Sequence, residues 1–412
     1  MGKPQSACAT GLASSTSRID PVNALDRTKA ILAELIAFPT VSADSNLQLI
    51  TYAGDLLSST GARLSVSLDE SGTKANLFAT IGPERDGGIV LSGHTDVVPV
   101  EGQEWTSDPF VMSERDGRLY GRGTCDMKGF IAACLAVAPR FAELDLTRPL
   151  HFAFTYDEEV GCLGARALVD ELKKAGYRPS AAIIGEPTMM GVIEGHKGCY
   201  EYTTEFTGLE GHGSQPDRGV NAVEYAVRYI SRLMELGVDL KARAPADSRF
   251  SPPWTTVQVG RITGGNARNT IPGQCSVEWE MRPIHTDDSD YVKRALDAYV
   301  DDELHPAMRR VSPDASIITH VIGEVRGLLP VSRSEARDIV FALTGAEEAE
   351  LVSFGTEAGL FQDVGISSVI CGPGSITQAH KPNEFIETSQ LAACLEMLDK
   401  LRLNLTTRDV HI

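Results

Sequence analysis

The chain has 412 residues, 42% hydrophobic and 23% charged, which are ordinary globular values at a length that suits two domains or one domain with an insertion. Its 56 acidic side chains outweigh 38 basic ones for a formal charge of -18, which repels phosphate backbones and argues against a nucleic-acid partner. No apolar run reaches the roughly 18 residues of a membrane span, so no membrane association is expected.

The first twenty residues are rich in Ser, Ala and Thr and lack a continuous apolar signal core. They read as a flexible leader, 1–20, of a protein that is not secreted. The eight cysteines form no C-x-x-C pair and suit the reduced thiols of a cytoplasmic protein, with Cys134, Cys275 and Cys371 in apolar patterns that suggest core positions. A helix is expected from Pro21 to about Ala37, because Leu25, Thr28, Leu32 and Leu35 form a stripe that Pro39 ends. Residues 76–82 read as a strand. Four short apolar runs follow along the chain: Ile89-Val90-Leu91, Phe152-Ala153-Phe154, Ala182-Ile183-Ile184 and Val369-Ile370-Cys371. Runs of this length read as strands buried on both faces of a parallel sheet. Helices are expected from near Asp126 through Val137, over 164–175 and over 388–403. The alternation predicts an α/β domain, with a mixed, mostly parallel sheet and helices on both faces.

Near Gly198 the period changes. Tyr200, Tyr202, Thr204 and Phe206 alternate with polar residues, as do Cys275, Val277, Trp279 and Met281. A period of two marks half-solvated antiparallel strands. With helices near 221–236 and 289–304 and a strand near 317–325, the order is βαββαβ, a ferredoxin-like α+β unit. Residues 198–327 are therefore expected to form an inserted domain, leaving 21–197 and 328–412 as the main one.

Each apolar run leads into an acidic or histidine-bearing motif. His94-Thr95-Asp96, Asp157-Glu158-Glu159 and Gly185-Glu186-Pro187 follow three of them, and the fourth opens the loop to Gln378-Ala379-His380-Lys381-Pro382. A fifth motif, Gly123-Thr124-Cys125-Asp126-Met127-Lys128, stands at the expected helix start. Singly, each has a plainer reading. Asp126 can cap its helix, Glu158 and Glu159 can favour a helix N-terminus, and Glu186-Pro187 can be a turn. Chemistry in open parallel sheets gathers at the carboxyl ends of the strands. Together the motifs bring two histidines and at least four carboxylates there, which points to a metal centre.

With Ser92-Gly93-His94-Thr95-Asp96-Val97-Val98-Pro99, Gly121-Arg122-Gly123-Thr124-Cys125-Asp126-Met127-Lys128-Gly129, Asp157-Glu158-Glu159-Val160-Gly161, Gly185-Glu186-Pro187-Thr188 and Gly211-His212-Gly213-Ser214, the chain resembles the M20 zinc amidohydrolases and peptidases over most of 22–405. Within the family, Gly355-Thr356-Glu357-Ala358-Gly359 and Cys371-Gly372-Pro373-Gly374-Ser375 look most like acetylornithine deacetylases. The resemblance implies two divalent cations, Zn with Co or Mn able to substitute. Asp126 would bridge them, His94 and Glu186 would complete one site, and Glu159 and His380 the other. It also implies Asp96 orienting His94, Glu158 as general base, a cis peptide after Asp126, and His212 as an oxyanion stabiliser reaching a neighbouring subunit.

The inserted unit would then be a lid and dimerisation domain of a homodimer, and the substrate a small N-acyl amino acid. N-acetylornithine leads, ahead of N-succinyl-diaminopimelate, other acylamino acids or a dipeptide. Asn269, Arg282, Gly374 and Ser375 are candidates to hold the substrate carboxylate. Glu357 is a candidate partner for a substrate ammonium group, or a structural acid.

Overall fold

The computed structural model describes residues 21–406, so the leader expected at 1–20 lies outside the described residues. Helix α1 (Pro21–Ala37) runs as its stripe requires, with Leu32, Leu35 and Ile36 fully buried. Helix α2 (Leu47–Ser58) and the hairpin of β1 (Arg63–Leu68) and β2 (Ala75–Ile81) follow, then β3 (Ile89–His94) and a short ribbon of β4 (Ser113–Arg115) and β5 (Arg118–Tyr120). Helix α3 (Lys128–Ala142), β6 (Leu150–Thr155), α4 (Leu163–Ala175), β7 (Ala181–Ile184) and β8 (Ile193–His196) complete the first stretch. Gly176 ends α4 in the left-handed conformation, at φ 76°, where a side chain would be strained.

The second stretch begins at β9 (Cys199–Thr207), followed by β10 (Gly211–His212), α5 (Ala222–Ala242), β11 (Thr256–Gly264), β12 (Thr270–Ile271) and β13 (Gln274–Arg282). Helix α6 (Thr286–Tyr299) passes through one π-type turn at Val300–Leu304 into α7 (His305–Arg309), and β14 (Ser316–Val325) closes the stretch. Strands β9, β11, β13 and β14 form an antiparallel sheet in the order β11-β13-β9-β14. Tyr200, Tyr202, Phe206, Val277 and Trp279 from its inner face pack on Tyr229, Leu233 and Leu236 of α5 and on Val292 and Leu296 of α6.

After Gly327 come α8 (Glu335–Thr344), β15 (Glu350–Val352), α9 (Ala358–Asp363), β16 (Ser367–Ile370), β17 (Phe385–Glu387) and α10 (Thr388–Thr406). The large sheet has the order β1-β2-β6-β3-β7-β16-β8-β15, and its central strands β6, β3, β7 and β16 are mutually parallel. Alternate residues of these strands face two apolar layers. Leu91, Phe152, Ile183 and Val369 join α1, α3, α8 and α10, while Val90, Ala153, Ile184 and Ile370 join α4 and α9. This is a mixed α/β architecture with helices on both faces of the large sheet. Among the described residues no helix is long and apolar enough to cross a membrane.

Candidate metal centre

The parallel strands end together at one edge of the sheet, and the motif residues leave from that edge. His94 is the last residue of β3, the Glu158–Glu159 turn follows β6, and Glu186 follows β7. Gly185 lets β7 end against α3, because a Cβ there would lie 2.0 Å from the Phe130 ring. His380 lies in the loop after β16 with φ at 62°. Asp126 precedes α3 across a cis peptide to Met127. Its side chain does not cap the helix, so the plainer reading of that residue does not hold.

Asp126 is the middle of the cluster. Its Oδ1 lies 3.0 Å from His94 Nε2, and its Oδ2 lies 3.4 Å from His380 Nε2. His94 Nε2 is also 3.8 Å from Glu186 Oε1, and His380 Nε2 is 3.0 Å from Glu159 Oε2. The donor atoms of His94, Glu158 and Glu186 fall within 4.8 Å of one another, as do those of His94, Asp126 and Glu159. His94 Nδ1 donates to the main-chain carbonyl of Asp96 at 2.9 Å, which leaves Nε2 as the nitrogen aimed at the carboxylates.

The cluster is electrostatically crowded. Burial pushes the Glu186 carboxyl well above the usual range, and the Asp126 charge adds to it. Burial likewise raises Glu158 to about 8, with Glu159, Asp126 and Asp96 adding to the effect and His94 opposing it. Glu159 is raised by burial and by Asp126. Asp126 goes the other way: burial would raise it, but hydrogen bonds from His380 and His94 hold it below the ordinary carboxylate range. Hydrogen bonds to Asp126 and Glu159 lift His380 to about 10. A hydrophobic interior does not gather four acids around two imidazoles unless positive charge compensates them. Mixed imidazole and carboxylate donors suit divalent cations of the zinc type, so the residues present fit such a group.

The profile of peptidase family M20/M25/M40 matches residues 90–334, more than half of the chain. The chain belongs to that family. It is a metal-dependent amide hydrolase. It is 35% identical to an acetylornithine deacetylase of Shigella sonnei (strain Ss046), covering 89% of this chain and 95% of the relative. It is 38% identical to an acetylornithine deacetylase of Myxococcus xanthus, covering 90% and 95%. Its fold is similar to an M20 family metallo-carboxypeptidase from Sulfolobus solfataricus, with a TM-score of 0.71 at 17% identity over 91% of this chain and 98% of that one.

Around the cluster of this M20 chain, Asp96 does more than face His94. Its Oδ1 is 3.6 Å from His94 Nδ1, but it accepts the main-chain N–H groups of Glu158 at 3.0 Å and Glu159 at 3.3 Å, and the Ser42 hydroxyl at 2.7 Å. The Glu158–Glu159 turn does not itself open α4, which starts only at Leu163. Sequence reasoning missed Glu384 altogether. Buried to 1% exposure, it accepts N–H groups from Gly123, Cys125 and Asp126 and pairs with Arg122 at 2.8 Å, so it fixes the loop that carries Asp126. Lys128 was also missed. It is fully buried and ties the loop to α1 through the carbonyls of Leu35 and Phe38.

The other candidates are not among the donor groups that meet around His94. His212 is exposed on the β10–β12 ribbon, opposite Thr270, with its Nδ1 on Ser214 Oγ at 2.7 Å, and the Asn269 carbonyl accepts the Gly213 N–H on the same ribbon. The guanidinium of Arg282 is not free, since it forks onto Glu280 Oε2 at 2.8 and 3.2 Å. Glu280 takes two of the five guanidinium N–H donors, so a substrate carboxylate there would meet the remaining ones beside a neighbouring acid. The Gly374 N–H is taken by Gln390 at 3.2 Å and that of Gly372 by Thr188, so these amides are not open donors. Ser375, half-buried, pairs with Thr188 across the Glu186 motif. Glu357 lies fully buried under β3 and β6, where it accepts the Ser92 and Thr155 hydroxyls at 2.5 and 2.8 Å. Those contacts favour its structural reading over one as a partner for substrate.

Proposed function

We propose that this chain removes an acyl group from the α-nitrogen of an amino acid, with N-acetylornithine as the favoured substrate, using two divalent cations. The observation that carries the reading is the two-sided Asp126 carboxylate, one oxygen toward His94 and the other toward His380. His94 and Glu186 would hold one cation, Glu159 and His380 the other, with Asp126 between. Zn is the leading metal, with Co or Mn as substitutes. Cations bound there supply Lewis-acid polarisation of the amide and a more acidic water.

Glu158 is the general base, taking the proton of the attacking water and handing it to the leaving amine. Its place beside the donor atoms of His94 and Glu186 puts it within reach of a water held there. His212 stabilises the developing oxyanion in a neighbouring copy's site, which makes the protein a homodimer through residues 198–327. Its exposure on a ribbon, with Ser214 as its hydrogen-bond partner among the described residues, suits a side chain that completes another site. Asn269, Arg282 and Ser375 are the candidates for the substrate carboxylate. The relatives at 35% and 38% identity carry the choice of acetylornithine.

The deciding experiment is a panel of N-acetylornithine, N-succinyl-diaminopimelate, other acylamino acids and a dipeptide, run on the zinc-loaded protein beside Glu158→Gln. The reading expects N-acetylornithine to turn over fastest and Glu158→Gln to keep its metal while losing most activity. Turnover of a dipeptide with none of N-acetylornithine overturns the substrate, and parental activity in Glu158→Gln overturns the base.

A further inference from the structure

The Glu158 side chain is weakly anchored. Among the described residues its carboxylate takes one hydrogen bond, from Cys162 Sγ at 3.4 Å. Its position must therefore come from the backbone of its turn. Asp157, just before it, has φ at 53°, in the left-handed region that Asp enters more readily than most non-glycine residues but still at some cost, so contacts on its side chain help to fix the turn. Lys74 supplies them. Its Nζ lies 2.5 and 2.6 Å from the two Asp157 carboxylate oxygens and also donates to the Ser42 carbonyl. An ammonium group has three N–H donors, and all three are engaged.

The lysine is itself fixed by the β1–β2 turn. Asp69 Oδ1 accepts the N–H groups of Thr73 and Lys74 at 2.9 and 2.8 Å, and the Asp69 N–H donates to the Lys74 carbonyl at 2.9 Å. Ser42, the other Lys74 partner, donates its hydroxyl to Asp96, which in turn accepts the N–H groups of Glu158 and Glu159. A closed ring of contacts thus runs from Lys74 to Asp157, along the turn to Asp96, and back through Ser42. The side chains of Lys74 and Asp157 are 14% and 8% exposed, so the pair is shielded from water and salt.

We propose that Lys74 is a positioning residue for amide hydrolysis, acting through Asp157 to aim the Glu158 carboxylate. The inference rests on Glu158 being the base. With its donors filled and its head group shielded, Lys74 is not a substrate ligand.

The test compares Lys74→Met, Lys74→Arg, Asp157→Asn and the Lys74→Met/Asp157→Asn double variant, all zinc-loaded, for kcat, KM, bound metal and melting temperature, using whichever acylamino acid the parent hydrolyses. A displaced reacting group costs up to about a hundredfold. In Lys74→Met, kcat should fall about tenfold or more, with KM within about twofold of the parent and metal content unchanged. Arginine, which can bridge the same carboxylate and carbonyl, should restore most of the loss. The double variant should lose no more than Lys74→Met alone, because two members of one pair do not add. A folded Lys74→Met at parental kcat, a kcat loss that merely follows lost metal, or additive losses in the double variant would each overturn the inference. If Lys74→Met does not fold, Lys74→Arg against Asp157→Asn decides: high kcat in the first and low kcat in the second is required. Glu158→Gln separates the two ideas. Full activity there removes the base itself, whereas an inactive Glu158→Gln beside a fully active Lys74→Met removes only the positioning role.

Discussion

Asp96 Oδ1 accepts the main-chain N–H of Glu158 at 3.0 Å, so the carboxylate beside the His94 ring also holds the turn of the proposed base. Removing a group that orients a metal ligand typically weakens metal binding 10–100-fold. Asparagine in its place keeps only one oxygen and cannot accept from both Glu158 and Glu159. Asp96→Asn is therefore expected to bind zinc about 10–100-fold more weakly. At saturating zinc its kcat should still stand about tenfold below the parent, a barrier change of about 1.4 kcal/mol. Full recovery of kcat on adding metal would confine Asp96 to the His94 side.

Arg122 and Glu384 make the most buried ion pair of two side chains near the cluster, each 1% exposed and 2.8 Å apart. Deleting one partner of such a pair costs about 3–5 kcal/mol, because the other charge is stranded. Arg122→Met is expected to lose that much stability in urea unfolding of the zinc-loaded protein. Lys29, paired with Glu114 at a much more exposed site, should cost under about 1 kcal/mol when changed to Met. Similar midpoints for the two variants would show that Glu384 is satisfied by its three main-chain donors alone.

Two buried histidines outside the proposed ligand set make stability depend on pH. Burial pushes His196 down to about 4, against a small opposing effect of the Lys197 carbonyl, and burial with the nearby Arg63 pushes His151 down to about 4. Both pKa values lie below the unfolded value of about 6.5, so the unfolded chain binds more protons between these limits. The stability that the neutral rings confer is complete above about pH 6.5 and is lost as pH falls toward 4, up to about 3 kcal/mol for each ring. Urea midpoints should drop from pH 7 to pH 5, and the drop should shrink in His151→Gln and in His196→Gln. An unchanged slope in both variants would assign the acid sensitivity elsewhere.

The ligand-bearing edge was legible in the sequence because four of the five motifs follow an apolar run that reads as an interior strand, while Asp126 stands at a helix start. Ile89 to Leu91 fixes His94, and Ala182 to Ile184 fixes Glu186. The supporting groups were not legible. Glu384 sits in a polar stretch beside His380 and reads as a surface acid, and Lys74 reads as an ordinary turn lysine. Their roles come from contacts with segments 258–261 and 83 residues away, which no local pattern encodes. Arg282 is a case of another kind. Its place on the polar face of β13 is legible, but the partner two residues earlier, Glu280, takes up its fork. The shift of the Glu158–Glu159 turn off the start of α4 has the same kind of origin, since Asp96 rather than a helix end satisfies those N–H groups.

The crowding of acids and imidazoles also predicts proton release on metal binding. Without a cation, His380 is held protonated at neutral pH, with its pKa at about 10 through Asp126 and Glu159, and Glu186 is raised well above its usual range by burial. Cation ligands must be deprotonated, so each such group gives up its proton as the metal enters. Zinc binding at pH 7 should therefore release more than one proton. Apparent affinity should rise with pH, and the rise should flatten once these groups have ionised. Calorimetric zinc titrations in buffers of different ionisation enthalpy measure that number directly. Replacing His380 with Asn should lower it, because one protonated ligand is gone, while Lys29→Met should leave it unchanged. A release of zero protons in the parent would mean that zinc does not meet the His94–Asp126–His380 cluster at all.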